Sequence, residues 1–175
     1  EESGRSIKDV LVIGASKTMP LERILFVRDN TDVKIFGENR VQEMLEKNAQ
    51  GAYAGVPLHF IGHLQKNKVK KAVAMADLIQ SADSLSILRE IDKRAAEIDK
   101  VQDVLLEFNI SGEESKTGLS PDDMKMAVDE AKSLSHVRVL GLMCMAPNYE
   151  DVEMTRPVFR KAHEMWENMK KQFPE

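Results

Sequence analysis

Lys17 stands directly after the apolar run Val10-Leu11-Val12-Ile13-Gly14-Ala15-Ser16. That puts an amine at the carboxyl end of a short strand, where α/β proteins place their ligands. Gly14, Ala15 and Ser16 are small and leave room above the sheet beside it. A lysine emerging next to low-dielectric strand ends can have its ammonium form disfavoured, which increases the neutral amine that attacks an aldehyde. Many lysines simply begin a loop, so this one carries chemistry only if other polar groups converge on it.

Three further segments are placed to converge. Phe36-Gly37-Glu38-Asn39 follows a second apolar run and is expected on the same rim. There Gly37 allows a tight turn, and Glu38 and Asn39 offer an acceptor and a two-way amide. Asn39 serves equally well as a helix N-cap. In His59-Phe60-Ile61-Gly62-His63-Leu64-Gln65-Lys66-Asn67-Lys68, His59 alternates with core residues and reads as structural, which leaves His63 as the rim candidate. Lys66, Lys68, Lys70 and Lys71 read as a solvated helix face, although the first two lie close enough to that rim to attract an anion. The polar loop from Asn109 to Gly118 contains a second lysine, Lys116, and its plain reading is an exposed loop with Asn, Ser and Gly turns. Met143 and Cys144, near the end of the last apolar run, read as soft packing for a flat ligand or for neighbouring strands. Cys144 has no evident partner for nucleophilic catalysis.

These residues need a scaffold that brings strand ends together. Short apolar runs at Val10-Ala15, Val33-Phe36, Leu58-Ile61, Asp77-Gln80, Val104-Ile110 and Val137-Met143 alternate with helical patterns, as βα units around a parallel sheet do. Pro20 suits a first helical turn, Ser120-Pro121-Asp122-Asp123 marks another helix start, and Thr155 suits the cap of the last helix. The count of units is about six, against the eight of a closed barrel. With 175 residues, 42% of them hydrophobic and 31% charged, the chain has the composition of one globular domain. A formal net charge of −4 argues against nucleic acid as a partner. The single cysteine excludes an internal disulfide framework and suits a reducing, cytoplasmic setting. Neither a membrane span nor a zinc-type Cys/His spacing is legible.

Gly14-Ala15-Ser16-Lys17-Thr18, Phe36 to Glu43, His59 to Lys68 and Ser111 to Gly118, with Gly141-Leu142-Met143 and Pro147, closely resemble the pyridoxal phosphate homeostasis protein family in the same order. The resemblance implies a TIM-type (β/α) barrel like the N-terminal domain of alanine racemase. It also implies that pyridoxal 5'-phosphate (PLP) is held as a Schiff base on Lys17, with Ala15 and Asn39 near the cofactor and Met143 lining its pocket. Lys116 matches a second family lysine that assists PLP handling. By the same resemblance a longer first helix, and a seventh and eighth strand whose amides bind the phosphate, are expected but absent, so residues 1–175 read as a single truncated PLP-binding domain.

What the resemblance implies about function is a non-catalytic PLP carrier or regulator that releases PLP by transimination, with PLP-dependent apoenzymes as partners. No nucleic acid or membrane is involved, and the protein is expected as a monomer or weak dimer. The alternative is a PLP-dependent amino-acid racemase or lyase on the same barrel. A racemase needs two positioned acid/base groups, and Tyr53 and Tyr149 fall in apparent loops where neither makes a convincing proton carrier.

Overall fold

The computed structural model of the chain describes residues 4, 6–110 and 117–171. Six parallel strands pair strictly in chain order: β1 (Ile13–Ala15), β2 (Ile35–Glu38), β3 (Leu58–Phe60), β4 (Leu78–Ala82), β5 (Gln102–Glu107) and β6 (Val137–Met143). Helices α1 (Leu21–Asn30), α2 (Val41–Ala49), α3 (Val69–Val73), α4 (Leu85–Ala96) and α5 (Pro121–Ala131) fill the crossovers, and α6 (Arg156–Lys170) follows β6. This is the sequence of βα units expected from the alternating pattern, open between β1 and β6 among the described residues. The sheet nevertheless curls, because residues of β1 and of the segment ending β6 line one and the same pocket.

Paired residues in adjacent parallel strands point to the same face, and that rule sorts the side chains. Phe36 is in register with Gly14 and Leu58, Phe60 with Glu38 and Ile79, and Ile79 with Val104. Phe36, Leu58, Phe60, Ile79, Val104 and Leu106 are all buried and form the sheet side of the core under the helices. From the helices Ile24, Met44, Val69, Leu88, Ile91, Met124 and Val128 close over them. The opposite, concave face carries Ile13, Ala15, Gly37 and His59.

The helix starts obey local chemistry with two corrections. Ser84 Oγ accepts from the Ile87 amide and Ser120 Oγ from the Asp123 amide, with Pro121 in the first turn of α5. Pro20 sits one residue before α1 as an extended N-cap residue, so it precedes the first turn rather than occupying it. Thr155 makes no side-chain cap to α6; it sits at the end of a 3₁₀ turn, and its hydroxyl donates to the Val152 carbonyl. Asp151 caps that turn instead, accepting from the Glu153 amide. The strands are also displaced from the apolar runs: β1 begins only at Ile13, with Val10, Leu11 and Val12 exposed, and β2 runs on through Glu38.

That extension of β2 overturns the expected turn at Gly37. Gly37 lies inside the strand, and the reason for a glycine is space: a Cβ there would stand 2.8 Å from Ile61 Cδ1 and 3.1 Å from Ile13 Cγ2. Gly62 is packed harder still. A Cβ on it would lie 2.2 Å from the Asn39 carbonyl oxygen and 2.6 Å from the Asn39 Cα, so the loop after β3 is pressed against the loop after β2. Backbone cannot yield as a side-chain tip can. Gly62→Ala is therefore expected to lower stability by about 1–3 kcal/mol, as overpacking of a tight site does, measured by urea denaturation; a midpoint equal to that of the unsubstituted chain would contradict this packing.

Candidate functional site

At the carboxyl ends of the strands the concave face holds a pocket of ≈ 350 Å³. Its wall is built from Ile13, Ala15 and Lys17 on the β1 side, Asn39 after β2, Ile61 after β3, Gln80 in β4, and Met143, Cys144 and Met145 at the end of β6. Four of the residues singled out in the sequence, Lys17, Ala15, Asn39 and Met143, thus meet in one place. Lys116 lies outside the described residues. Isoleucine and methionine make the lining mostly apolar, with Lys17, Asn39 and Gln80 as its polar residues. The size falls at the lower end of the range that encloses a small organic ligand. Asn39 Oδ1 is a buried acceptor with no hydrogen-bond partner among the described residues.

Lys17 itself is exposed, and its backbone is anchored from the other side of the sheet. Glu38 was expected at the rim, but by strand alternation it points into the helix layer and is fully buried. There Lys47 of α2 donates to Glu38 Oε1 at 2.5 Å, to Glu43 Oε2 at 3.0 Å and to the Ser16 carbonyl at 2.7 Å. These contacts use all three donors of the ammonium. Ser16 Oγ lies 3.0 Å from Glu38 Oε1 and 2.9 Å from the Tyr53 hydroxyl. Glu43 also accepts the Thr18 amide at 3.0 Å. The residues immediately before and after Lys17 are therefore both tied to this cluster. Burial, above all, pushes the Tyr53 phenol well above its usual range, and the charge of Glu38 adds to the effect.

The sequence left Lys47, Glu43 and Tyr53 unmarked as site residues. Two signals were available: Phe36 and Glu38 share a face by the strand period of two, and Glu43 and Lys47 share a helix face at i, i+4.

His59 is buried in β3 with Nδ1 3.0 Å from Gln80 Nε2, and burial lowers its pKa, so it serves as the structural histidine expected. His63 falls off the Lys17 pocket. It lines a neighbouring cavity of ≈ 290 Å³ with Arg40, Gln65 and Lys68, and its Nδ1 is 2.8 Å from Asp83 Oδ2. Asn39 lines both cavities. Glu107, at the end of β5, is buried and accepts from the Thr117 hydroxyl at 2.7 Å; burial raises its pKa despite that bond. No group of three or more His, Cys, Asp or Glu side chains among the described residues has a metal-binding arrangement.

A parallel βα sheet with a lysine-bearing pocket at its carboxyl rim defines an α/β domain of the alanine racemase N-terminal type, and residues 15–175 match the family model described as alanine racemase, N-terminal domain. The chain belongs to the pyridoxal phosphate homeostasis protein family: it is 41% identical over 175 residues to the pyridoxal phosphate homeostasis protein of Aquifex aeolicus, covering 99% of this chain and 75% of that one. It is 32% identical over 177 residues to the protein of that name from Pasteurella multocida, covering 100% of this chain and 76% of the relative. Among solved structures, PipY of Synechococcus elongatus with PLP bound superposes with a TM-score of 0.87 at 28% identity, covering 98% of this chain and 79% of PipY. An alanine racemase from Clostridium difficile shares the fold alone, with a TM-score of 0.78 at 12% identity over 95% of this chain and 44% of that one.

Two measurements check the electrostatics. The Cys144 thiol is pushed up by burial, so its alkylation by iodoacetamide at pH 8 should be several-fold slower than that of a cysteine peptide and should accelerate only at more alkaline pH; a peptide-like rate would refute this environment. The Thr18 amide, then Lys47, hold the Glu43 carboxyl below the ordinary glutamate range. A depressed acid contributes its full stabilisation above its unfolded pKa of about 4.3 and loses it as pH falls through the lower folded value. The stability difference between the parent and Glu43→Gln should accordingly be present at pH 6 and shrink as pH falls below about 4, read from urea midpoints at each pH; a difference that is unchanged at pH 3 would contradict it.

Proposed function

We propose that this protein holds PLP as a Schiff base on Lys17 and passes it on, acting as a carrier in PLP homeostasis rather than as an enzyme. The observation that supports it is the pocket itself: Lys17, Asn39 and the apolar wall of Ile13, Ile61 and Met143 surround a space of small-ligand size. When bound, PLP supplies an aldehyde that a neutral amine attacks. Lys17 supplies that amine, Ala15 leaves room for a flat ring, and Met143 and Met145 give it a polarizable surface. Asn39 closes the wall of the same space after β2. Release is exchange: an incoming amine, or a lysine of a PLP-dependent apoenzyme, takes the aldehyde carbon and the Lys17 amine is regenerated. Lys116 is proposed to assist this handling from the loop after β5.

The arrangement of titratable groups favours a carrier over a racemase or lyase. Tyr53, the nearer of the two tyrosines in sequence to the Lys17 surroundings, is committed to Ser16 and Glu38 on the helix side and is shifted away from proton transfer near neutrality. The half-buried thiol of Cys144, its pKa raised by desolvation, is likewise protonated at neutral pH. The name of the relatives, homeostasis protein, agrees with the same reading. No described helix is long and apolar enough to cross a membrane; a cytoplasmic setting is proposed from the single cysteine.

We further read the 175 residues as one βα domain, whose outer edges at β1 and β6 are where any further strands would pair and bring amides to the phosphate.

PLP added to the protein should produce an imine absorption band, and borohydride should fix one pyridoxyl group on the peptide containing Lys17. Lys17→Ala should lose the band and that label. Equal labelling of Lys17→Ala would sink the assignment. Incubation of the loaded protein with amino acids in deuterium oxide should exchange no α-proton faster than free PLP does; exchange above that rate would make the racemase or lyase reading the correct one.

A further inference from the structure

Lys17 is held at a fixed place by residues that never reach its pocket. Its preceding carbonyl, on Ser16, accepts from Lys47 at 2.7 Å. Its following amide, on Thr18, donates to Glu43 at 3.0 Å. Glu43 and Lys47 are one turn apart on α2 and bond each other at 3.0 Å, and Lys47 is in turn held at 2.5 Å by the fully buried Glu38. Thr18 has φ of 58°, a left-handed conformation that is costly for a β-branched residue. Conformations of that kind persist where the surroundings over-determine them, and they gather at functional positions. Here the surroundings are identifiable: the Glu43 carboxylate takes the Thr18 amide, and the Thr18 hydroxyl donates to the Lys17 carbonyl at 2.6 Å.

We propose that Glu43 and Lys47, anchored on Glu38, are positioning residues that clamp the backbone on both sides of Lys17 and so set where its amine meets PLP. The proposal rests on the reading of Lys17 as the PLP lysine. The clamp acts from the helix layer through the strand end to the concave face. Its chemical content is simple. A carboxylate on the Thr18 amide keeps the chain turned at residue 18, and an ammonium on the Ser16 carbonyl stops the strand end from rotating. With both in place, the Lys17 side chain starts from one fixed Cα position beside Ala15 and Asn39. Without them the lysine remains on the rim but samples other directions.

The hydrogen bonds, rather than the charges, are the essential feature at Glu43, and this makes the idea separable from simple loss of stability. Glu43→Ala removes the acceptor for Thr18. Glu43→Gln keeps an acceptor oxygen at the same reach while removing the charge. Lys47→Met combined with Glu38→Gln removes the hold on Ser16 without leaving an unpaired buried carboxylate.

For each variant three quantities are measured on the whole chain: the thermal midpoint, the hydrogen-exchange rate of the Thr18 amide without PLP, and the rate at which PLP is fixed on the Lys17 peptide under borohydride. Both Glu43→Ala and the double variant should fold and fix PLP at Lys17 about tenfold more slowly, since displacement of a reacting group by about 1 Å costs on that order or more, and Glu43→Ala should in addition lose Thr18 protection. Glu43→Gln should restore both rates to near those of the parent. If Glu43→Ala and the double variant fold and fix PLP at Lys17 at the rate of the parent, the clamp does not position Lys17 and the proposal is wrong; it is equally wrong if Glu43→Gln behaves as Glu43→Ala. If the parent chain fixes no PLP at Lys17, the reading of the site fails instead. The Thr18 exchange rates, which need no PLP, then still decide whether Glu43 sets the backbone there.

Discussion

A single ammonium group organises the layer beneath the pocket. Lys47 sits between two carboxylates and a backbone carbonyl, with only 12% of its side chain exposed, and its main partner Glu38 is 0% exposed. A charge taken out of water is costly unless its partners replace the lost solvation, and removing one member of a buried pair costs about 3–5 kcal/mol. The cluster can exist only if every member arrives together, which ties β2, α2, the end of β1 and the segment around Tyr53 into one unit. Such a cluster is poor evidence of extra stability, because an apolar replacement of similar shape can do as well. What it supplies is geometry at the strand end that follows.

That geometry is useful because the sheet is parallel. Parallel strands joined through helices send all their carboxyl ends to one rim, so side chains distant in sequence meet there without any contact between their helices. Lys17 and Met143 are brought to one pocket by this means alone. The division of labour between the faces is sharp. Residues whose side chains point to the helices, such as Phe36, Phe60 and Ile79, supply the core. Those pointing to the concave side leave an amine, two amides and soft apolar groups around a cavity, with Gly37 absent of side chain so that Ile13 and Ile61 can pave its floor.

Much of this could be read from residue order. The alternation of apolar runs and helical patterns located the six βα units, because each run is short enough to be a strand and each helical stripe buries one face. Lys17 and Asn39 were legible as neighbours for the same reason, since both follow a strand and strand ends share a rim, whereas Ala15 and Met143 were tied to the site by the family resemblance. The boundaries were less legible. Val10, Leu11 and Val12 have the composition of a strand yet lie outside β1, since a strand needs a hydrogen-bonding partner and β2 offers one only from Ile35 onward. Thr155 has the chemistry of a cap, but its hydroxyl found a nearer acceptor in the preceding turn.

The sequence by itself therefore determined the fold class and that Lys17 would share a rim with the neighbouring strand ends, because periodicity and residue type act over a few neighbours at a time. Only the tertiary structure decided which face each polar residue would take at those ends. Glu38 and Asn39 are adjacent and look alike as candidates, yet one is buried among helices and the other lines the pocket. The extension of β2 by two residues beyond its apolar run fixed that outcome, since each step along a strand reverses the side-chain direction. Lys47 and Glu43 could join the lysine only after α2 had packed across the end of β1, a contact over some thirty positions that no local pattern encodes.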